Sequence, residues 1–347
     1  MTTSQNTPRH VHLVGSVNLS TVQEVFETAG SILGDRLQRL PDGEPGPRRG
    51  WISYQYALFR VHPDLEVTET EKGQHPGALT PVRLRPGVKP EELKFPELGY
   101  SREARISYFD FKRAKEAGKI PVRCRFQVSL PTPVAPIHAY VTLADQLKVE
   151  PAYEQAMMAE VERILAAIPH NELAMQWDVC REMVIYDGRL FKSPWQNPED
   201  EIVKRLARIS KPIPDDVQLG FHLCYGDLNK KHFIEPEDSG KMVALANAIS
   251  AAVKRPIAWI HMPVPKDRSD EAYFAPLKNL KLHPETELVL GLVHNTDGVQ
   301  GTRKRIAAAQ KVVSDFAVAT ECGIGRSYAS KDVPDLFKIH AAVTQPA

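Results

Sequence analysis

The sequence predicts an α/β protein, specifically a (β/α)8 TIM barrel with elaborated N-terminal loops. Short apolar runs rich in β-branched residues alternate with amphipathic stretches, and the second half of the chain gives five strand–helix units in succession. Strands that are apolar along their whole length are typical of parallel sheets covered on both faces. The pair Gly15-Ser16 after the first predicted strand is not the glycine-rich phosphate turn of an open dinucleotide-binding sheet, so we favour a closed barrel.

The first half of the chain contains fewer regular elements. Residues 11–17 (VHLVGSV) are predicted as a strand that ends in Gly-Ser, and residues 21–33 as the helix that follows it. Residues 121–130 are a second predicted strand, closed by a proline-rich turn. Residues 150–168 carry apolar patches at helical spacing and are predicted as a long helix.

The second half follows a regular rhythm of strands and helices. Strands are expected at 173–180, 217–224, 257–264, 287–294 and 316–322, with helices at 199–210, 241–254, 270–280 and 299–314. The segments around 40–50 and 66–100 are expected to be surface excursions. Because no linker or internal repeat divides the sequence, we expect one barrel domain over residues 1–347.

The composition excludes several classes of protein. Lys+Arg 44 against Asp+Glu 43 gives a formal charge of +1, so no overall field attracts nucleic acid or an anionic membrane. The longest apolar stretches, such as 246–253, are far shorter than the roughly 20 residues of a membrane span. The polar start lacks the apolar core of a secretory signal, and four cysteines do not make a disulfide scaffold. We therefore expect a cytoplasmic enzyme with no nucleic-acid or membrane partner.

A combination of histidine and cysteine indicates a metal site. His222 and Cys224 are two residues apart on a predicted strand, so their side chains share one face. Cys322, at the end of the last predicted strand, adds a third donor, since the carboxyl ends of barrel strands meet at one face. Zinc favours this mixture, and a catalytic zinc keeps one position open. The alternative is ordinary core residues, because free cysteine is often buried, but the position of Cys322 makes us favour zinc.

Two further histidines end predicted strands. Three interpretations of His261 remain open: a fourth zinc ligand, a hydrogen-bonding partner of a ligand, and a core histidine whose hydrogen bonds are made within the protein. His294, with Asn295 and Asp297 close by in the sequence, suits a general acid or a substrate contact. The alternative for His294 is a capping residue before the next helix, and the sequence favours neither.

Two acidic residues are candidates for substrate binding. Asp178 lies in an apolar run, where a carboxylate is costly unless it is paired or faces the polar barrel mouth, so a functional role is favoured. Glu44 lies in a loop of turn residues followed by Arg48 and Arg49. That loop is either a solvated surface feature or a source of groups for a substrate ammonium and carboxylate.

These motifs resemble the catalytic half of cobalamin-independent methionine synthase. The matching pieces are 222–225 (HLCY), 322–323 (CG) with a following arginine, and 176–178 (QWD). Shorter similarities are 13–16 (LVGS), 42–44 (DGE) and 130–133 (LPTP), so the resemblance extends from about residue 11 to residue 326. The histidine–cysteine pair combined with the late Cys-Gly is its specific part.

The resemblance implies a (β/α)8 barrel of the methionine synthase and uroporphyrinogen decarboxylase superfamily, with Zn²⁺ bound by His222, Cys224 and Cys322. The family's remaining zinc ligand is a glutamate at the end of the following strand, where this chain carries His261. Exchanging glutamate for histidine removes one negative charge, which makes the zinc more electrophilic and a bound thiolate less nucleophilic.

The resemblance also implies roles for the candidate substrate residues. Glu44 and Asp178 would hold the ammonium of an amino-acid thiol such as homocysteine. The strand end at Ser16 would contact the carboxylate of that substrate, and His294 would donate a proton to the leaving atom.

We therefore expect zinc-dependent transfer of a methyl or other alkyl group to a small homocysteine-like thiol, the chemistry of methionine biosynthesis, with a metal-activated thiolate as nucleophile. The alkyl donor is open between a folate, a corrinoid and an epoxide. Full-length synthases carry an additional N-terminal barrel for a polyglutamylated folate, and none is expected here. Alternatives are an epoxide–thiol transferase or C–S lyase on the same zinc site, a metal-independent decarboxylase or lyase, and a non-enzymatic scaffold with a closed His2Cys2 zinc.

Overall fold

A curled sheet of seven parallel strands forms the centre of the protein. The computed structural model describes residues 7–69, 73, 78–227 and 231–346. The strands of the main sheet run in the order β1-β4-β5-β6-β7-β8-β9, and neighbouring strands pair in parallel. The strand bounds are β1 Arg39–Pro41, β2 Leu65–Val67, β3 Val82–Leu84, β4 Arg125–Pro131, β5 Leu173–Val179, β6 Gln218–Leu223, β7 Trp259–Pro263, β8 Glu287–Val293 and β9 Ala317–Thr320.

Helices follow most of the strands and cover the outside of the sheet. Within the described residues they are α1 Val22–Leu33, α2 Tyr56–Arg60, α3 Tyr100–Glu116, α4 Val134–Tyr140, α5 Gln146–Ala167, α6 Arg181–Asp187, α7 Pro198–Ser210, α8 Gly240–Ala252, α9 Glu271–Phe274, α10 Gly298–Ala309, α11 Ile324–Ser327 and α12 Val333–Val343. In the part of the chain that the structure describes, no helix is both long and apolar enough to cross a membrane.

The first predicted strand, 11–17, is reduced to isolated bridges. Val11 forms single parallel bridges to Leu37 on one side and to Val318 in β9 on the other. This segment therefore lies between the two edges of the main sheet and connects them. The sheet is compatible with a TIM-like barrel, with seven regular strands where the predicted (β/α)8 barrel has eight.

The two predicted excursions contain regular structure that the sequence interpretation missed. The segment 40–50 begins inside β1, where Leu40 pairs with Phe126 of the main sheet. A strand of three residues that ends in proline is too short to show a period, which explains the omission. The segment 66–100 includes most of an antiparallel β2–β3 pair and leads into α3, a 17-residue helix that was also missed.

The strands and helices predicted for the second half are confirmed with shifts of a few residues at their ends, with one exception. Residues 270–280 form only the short α9 and a 3₁₀ turn, Ala275–Asn279. Pro276 explains the break, because proline lacks the backbone N–H that an α-helix needs at this position.

The amino ends of the strands are closed by large side chains and an ion cluster. Trp259, the first residue of β7, packs so tightly on Gly220 that a Cβ on that glycine would lie 2.0 Å from the Trp259 Cε2 atom. The Arg39 guanidinium lies 4.3 Å from the centre of the Trp259 ring and donates a 2.8 Å hydrogen bond to Glu287. The carboxyl ends of the strands are left as the open end of the sheet.

Candidate metal and substrate site

A cavity of about 290 Å³ opens at the carboxyl ends of the parallel strands. Its walls combine sulfur, imidazole and carboxyl groups with an apolar side formed by residues such as Trp51 and Ile52. In barrels of parallel strands the reactive side chains come from these strand ends, because the loops there can vary without disturbing the core. Ser16, Glu44, Asp178, His222, Cys224 and Cys322, all predicted from the sequence, line this cavity.

Three of these residues form a compact donor group. One ligand atom each from His222, Cys224 and Cys322 lies within 4.8 Å of the others. The two Sγ atoms are 3.7 Å apart. His222 belongs to β6, and Cys224 is the first residue after that strand. Cys322 comes after β9 on the far side of the sheet. Among the residues that the structure describes, no other group of this kind is present.

The chemistry of the donor group fits a zinc ion. The Nε2 atom of His222 is buried and has no hydrogen-bond partner among the described residues, an arrangement that costs free energy unless another group binds it. Hydrogen bonds to Cys180 and Cys322, together with burial, raise the pKa of Cys224 well above its usual range. A divalent cation would reverse this by stabilising the thiolate. One imidazole nitrogen and two thiolates are ligands that zinc prefers.

His261 lies beside the donor group and is not part of it. Its Nδ1 atom is 2.7 Å from Nδ1 of His222, and its Nε2 atom is 3.1 Å from the backbone oxygen of Thr320. The register of the sheet explains the contact, because His222 and His261 are paired residues on β6 and β7. The ring is fully buried, and it contacts a candidate ligand through its own Nδ1 atom.

Two carboxyl groups, that of the buried Asp178 and that of the partly buried Glu44, occupy another part of the cavity wall. Burial, together with the nearby Asp178 carboxyl, raises the pKa of Glu44 to about 8. Burial also raises the pKa of Asp178 to about 7, even though Gln176 and Trp51 donate hydrogen bonds of 2.9 and 3.2 Å to it. Two carboxyl groups with raised pKa values in one cavity are suited to bind a cationic group such as an ammonium.

The sequence interpretation missed a third acidic residue, Glu182. This residue is fully buried on α6, accepts a hydrogen bond from the Thr132 hydroxyl, and acts electrostatically on Asp178. Burial raises the pKa of Glu182 to about 7. An acidic residue in the first turn of a helix is usually solvated and interacts with the helix dipole, so its residue type gives no sign of a buried position. The only signal in the sequence for its effect on Asp178 is that the two residues are close along the chain.

Ser16 packs against the turn of the chain that follows Cys322 and leads to Arg326. A Cβ on Gly323 would lie 2.3 Å from the Ser16 Oγ atom, so the glycine is required for Ser16 to reach the cavity. The backbone N–H of Gly325 donates a 3.0 Å hydrogen bond to the Ser16 carbonyl. Arg326 lines the same cavity and brings a positive charge to the side where Ser16 lies.

His294 is placed away from the cavity lining. Its Nε2 atom is 3.0 Å from the Val264 carbonyl oxygen, and its Nδ1 atom is 3.6 Å from a carboxyl oxygen of Glu321. Burial lowers the pKa of His294 to about 3 and raises that of Glu321 to about 8. The proton in this pair therefore resides on Glu321, a residue that the sequence interpretation did not single out.

Comparison with known proteins places the fold. No known protein family matches the sequence, and no curated protein matches it either. A structure from Listeria monocytogenes, named as a candidate vitamin B12-independent methionine synthase, has a TM-score of 0.61 at 14% identity, with 98% of both chains covered. A B12-independent methionine synthase from Shewanella sp. W3-18-1, in complex with selenomethionine, has a TM-score of 0.56 at 12% identity, with 97% of this chain and 95% of that chain covered. The chain therefore has the fold of these proteins over nearly its whole length.

Proposed function

We propose that the protein is a zinc-dependent enzyme that transfers a methyl or other alkyl group to the thiol of a small amino acid such as homocysteine. The observation that carries this proposal is that His222, Cys224 and Cys322 line the same cavity as the carboxyl groups of Glu44 and Asp178. The neighbouring structures support methyl transfer in general, since both are named as methionine synthases. The selenomethionine bound to one of them is an amino acid of this shape.

The cavity has groups that suit the ammonium, the carboxylate and the thiol of an amino-acid thiol. Asp178 and Glu44 would bind the ammonium, and the Ser16 side of the cavity with Arg326 would bind the carboxylate. These contacts would orient the thiol towards His222 and the two cysteines. When bound, zinc supplies a Lewis acid that lowers the pKa of the thiol and favours its thiolate at neutral pH.

The apolar side of the cavity is proposed to receive the alkyl donor. Trp51, Ile52, Tyr140 and Phe233 line it, and these side chains exclude water from a reacting carbon. A folate, a corrinoid or an epoxide carries such an electrophilic carbon. Transfer to the thiolate would form a C–S bond and break the bond from that carbon to the donor's nitrogen, cobalt or oxygen, which keeps the electron pair. The nitrogen of a folate or the oxygen of an epoxide must then gain a proton. We propose that the pair of His294, predicted from the sequence, and Glu321 supplies this proton, and that the Glu321 carboxyl carries it because its pKa is raised to about 8.

The fold itself is proposed to be a complete (β/α)8 barrel in one domain. The segment 11–17 occupies the place of the eighth strand, since it bridges both edges of the seven-stranded sheet. This arrangement brings the residue after β9 close to the residue after β6, which a flat open sheet would separate by two intervening strands.

Calorimetric titration of the zinc-loaded protein with L-homocysteine tests the proposal without knowledge of the donor. L-homoserine, which replaces the thiol by a hydroxyl, is the matched control ligand. Homocysteine should bind at least tenfold more tightly, and titrations in buffers of different ionisation enthalpy should show that homocysteine releases about one proton more per molecule bound than homoserine does. Equal binding of the two ligands, or unchanged homocysteine binding after the metal is removed, would contradict the proposal and favour a metal-independent enzyme.

A further inference from the structure

The contact between His222 and His261 determines where the protons of both rings lie. The two Nδ1 atoms are 2.7 Å apart, a distance that requires one proton between them and forbids two. The other nitrogen of His261, Nε2, is 3.1 Å from the Thr320 carbonyl oxygen. A carbonyl oxygen can only accept, so Nε2 of His261 must carry a proton and donate it.

The proton between the two rings belongs to His222. If His261 carried it, that ring would hold two protons and a positive charge. His261 is fully buried, and its hydrogen-bond and ring partners among the described residues are His222, the Thr320 carbonyl and the His12 ring, none of which is an anion. A buried cation without an anionic partner is strongly unfavourable. His261 is therefore neutral with a bare Nδ1, and His222 donates its Nδ1 proton to it.

The consequence lies at the opposite nitrogen of His222. A neutral ring with its proton on Nδ1 has a lone pair on Nε2, and this is the buried atom without a hydrogen-bond partner among the described residues. We propose that His261 is a positioning residue, which holds His222 in the tautomer whose Nε2 can bind zinc together with Cys224 and Cys322, and that it is not itself a ligand. This inference rests on the proposed zinc-dependent function. It leaves three protein ligands and an open coordination position for the substrate thiol.

Two substitutions at His261 separate positioning from ligation. In His261→Gln the amide oxygen can accept from His222 and the amide NH₂ can donate to the Thr320 carbonyl, whereas His261→Ala loses both bonds. A positioning role predicts that zinc affinity, measured by competition with a chromophoric chelator, stays within about threefold in the Gln variant and falls about 10- to 100-fold in the Ala variant. Equal large losses in both variants would overturn the inference, because an amide is a poor replacement for an imidazole ligand.

The tautomer can also be observed directly. Long-range ¹H–¹⁵N correlation spectra of the metal-free, reduced protein should show His222 with a protonated Nδ1 and a bare Nε2, and the Gln variant should show the same pattern. The opposite tautomer in the wild type would overturn the inference even if zinc binds. If the wild type binds no zinc, the proposed function fails, and these spectra still decide the order of protons. Thermal unfolding of each variant identifies any loss caused by misfolding, and the Gln variant suffices if the Ala variant does not fold.

Discussion

The paired carboxyl groups predict a steep pH dependence for the binding of an amino-acid ligand. In the empty cavity the pKa values of Glu44 and Asp178 are raised to about 8 and about 7. Below pH 7 both groups are therefore mostly neutral and attract an ammonium poorly. An ammonium in the cavity favours their ionised forms, so binding must release protons and must strengthen as the pH rises from 6 to 8.

The size of the effect follows from the two pKa values. The affinity should follow the ionised fraction of each carboxyl group that has to be charged, and one pKa unit corresponds to about 1.4 kcal/mol. If only Asp178 has to ionise, the affinity should rise about tenfold between pH 6 and pH 8. If Glu44 must ionise as well, the rise should be several hundredfold. Asp178 should ionise first, because Gln176 and Trp51 already donate hydrogen bonds to its carboxylate. The structure therefore predicts a rise of at least tenfold.

L-methionine is the ligand of choice for this measurement, because it lacks a thiol whose own deprotonation would add to the pH dependence. Calorimetry at pH 6, 7 and 8 would give the affinities. The control ligand is 4-(methylthio)butanoic acid, which lacks the ammonium and should bind equally or more weakly as the pH rises. In Asp178→Asn the pH dependence for methionine should shrink. A flat profile for methionine, or the same rise for the control ligand, would refute the assignment of these carboxyl groups to ammonium binding.

Three further predictions concern stability and the metal ligands. In Gly220→Ala the added Cβ would lie 2.0 Å from the Trp259 ring, so denaturant unfolding should show a loss of about 3 kcal/mol, and the double variant with Trp259→Leu should recover part of it. Because the folded protein favours neutral Glu44, the contribution of Glu44 to the free energy of unfolding should fall as the pH rises from 4.5 to about 8. Glu44→Gln removes this titration, so the stability of the variant relative to the wild type should be about 3 kcal/mol higher at pH 8 than at pH 5. An equal difference between the two proteins at both pH values would contradict the raised pKa of Glu44. Cys180 lines the cavity but lies outside the group of three ligands, so Cys180→Ser should keep its zinc in a metal analysis, and loss of the metal would make Cys180 a ligand.

The sequence was most informative where strand ends carry the chemistry. His222 and Cys224 were predictable because a spacing of two at the end of a strand places both side chains on one face, and Cys322 because it follows the last strand. The structure brings all three together in one group. This part of the site depends on local periodicity and on the topology of parallel strands, both of which the sequence displays.

Other parts of the site depend on contacts that have no local signature. Glu182 follows the end of β5 by three residues and Glu321 follows β9 directly, and the raised pKa values of both depend on neighbours from distant elements. The role of His261 depends on the register between β6 and β7 and on a carbonyl in β9. The strand β1 was missed because three residues are too few for a pattern, although its position next to β4 organises the whole sheet.

The zinc content of the reduced protein, purified without a metal-chelating tag, tests the central proposal most directly. Cys224→Ser removes one of the three donor atoms, and Cys124→Ser is the matched control, since Cys124 is equally buried but lies just before β4 at the opposite end of the sheet. We expect about one zinc per chain in the wild type and in Cys124→Ser, with most of it lost in Cys224→Ser. A wild-type protein that takes up no zinc under reducing conditions, or a Cys224→Ser variant that retains it, would contradict the proposal.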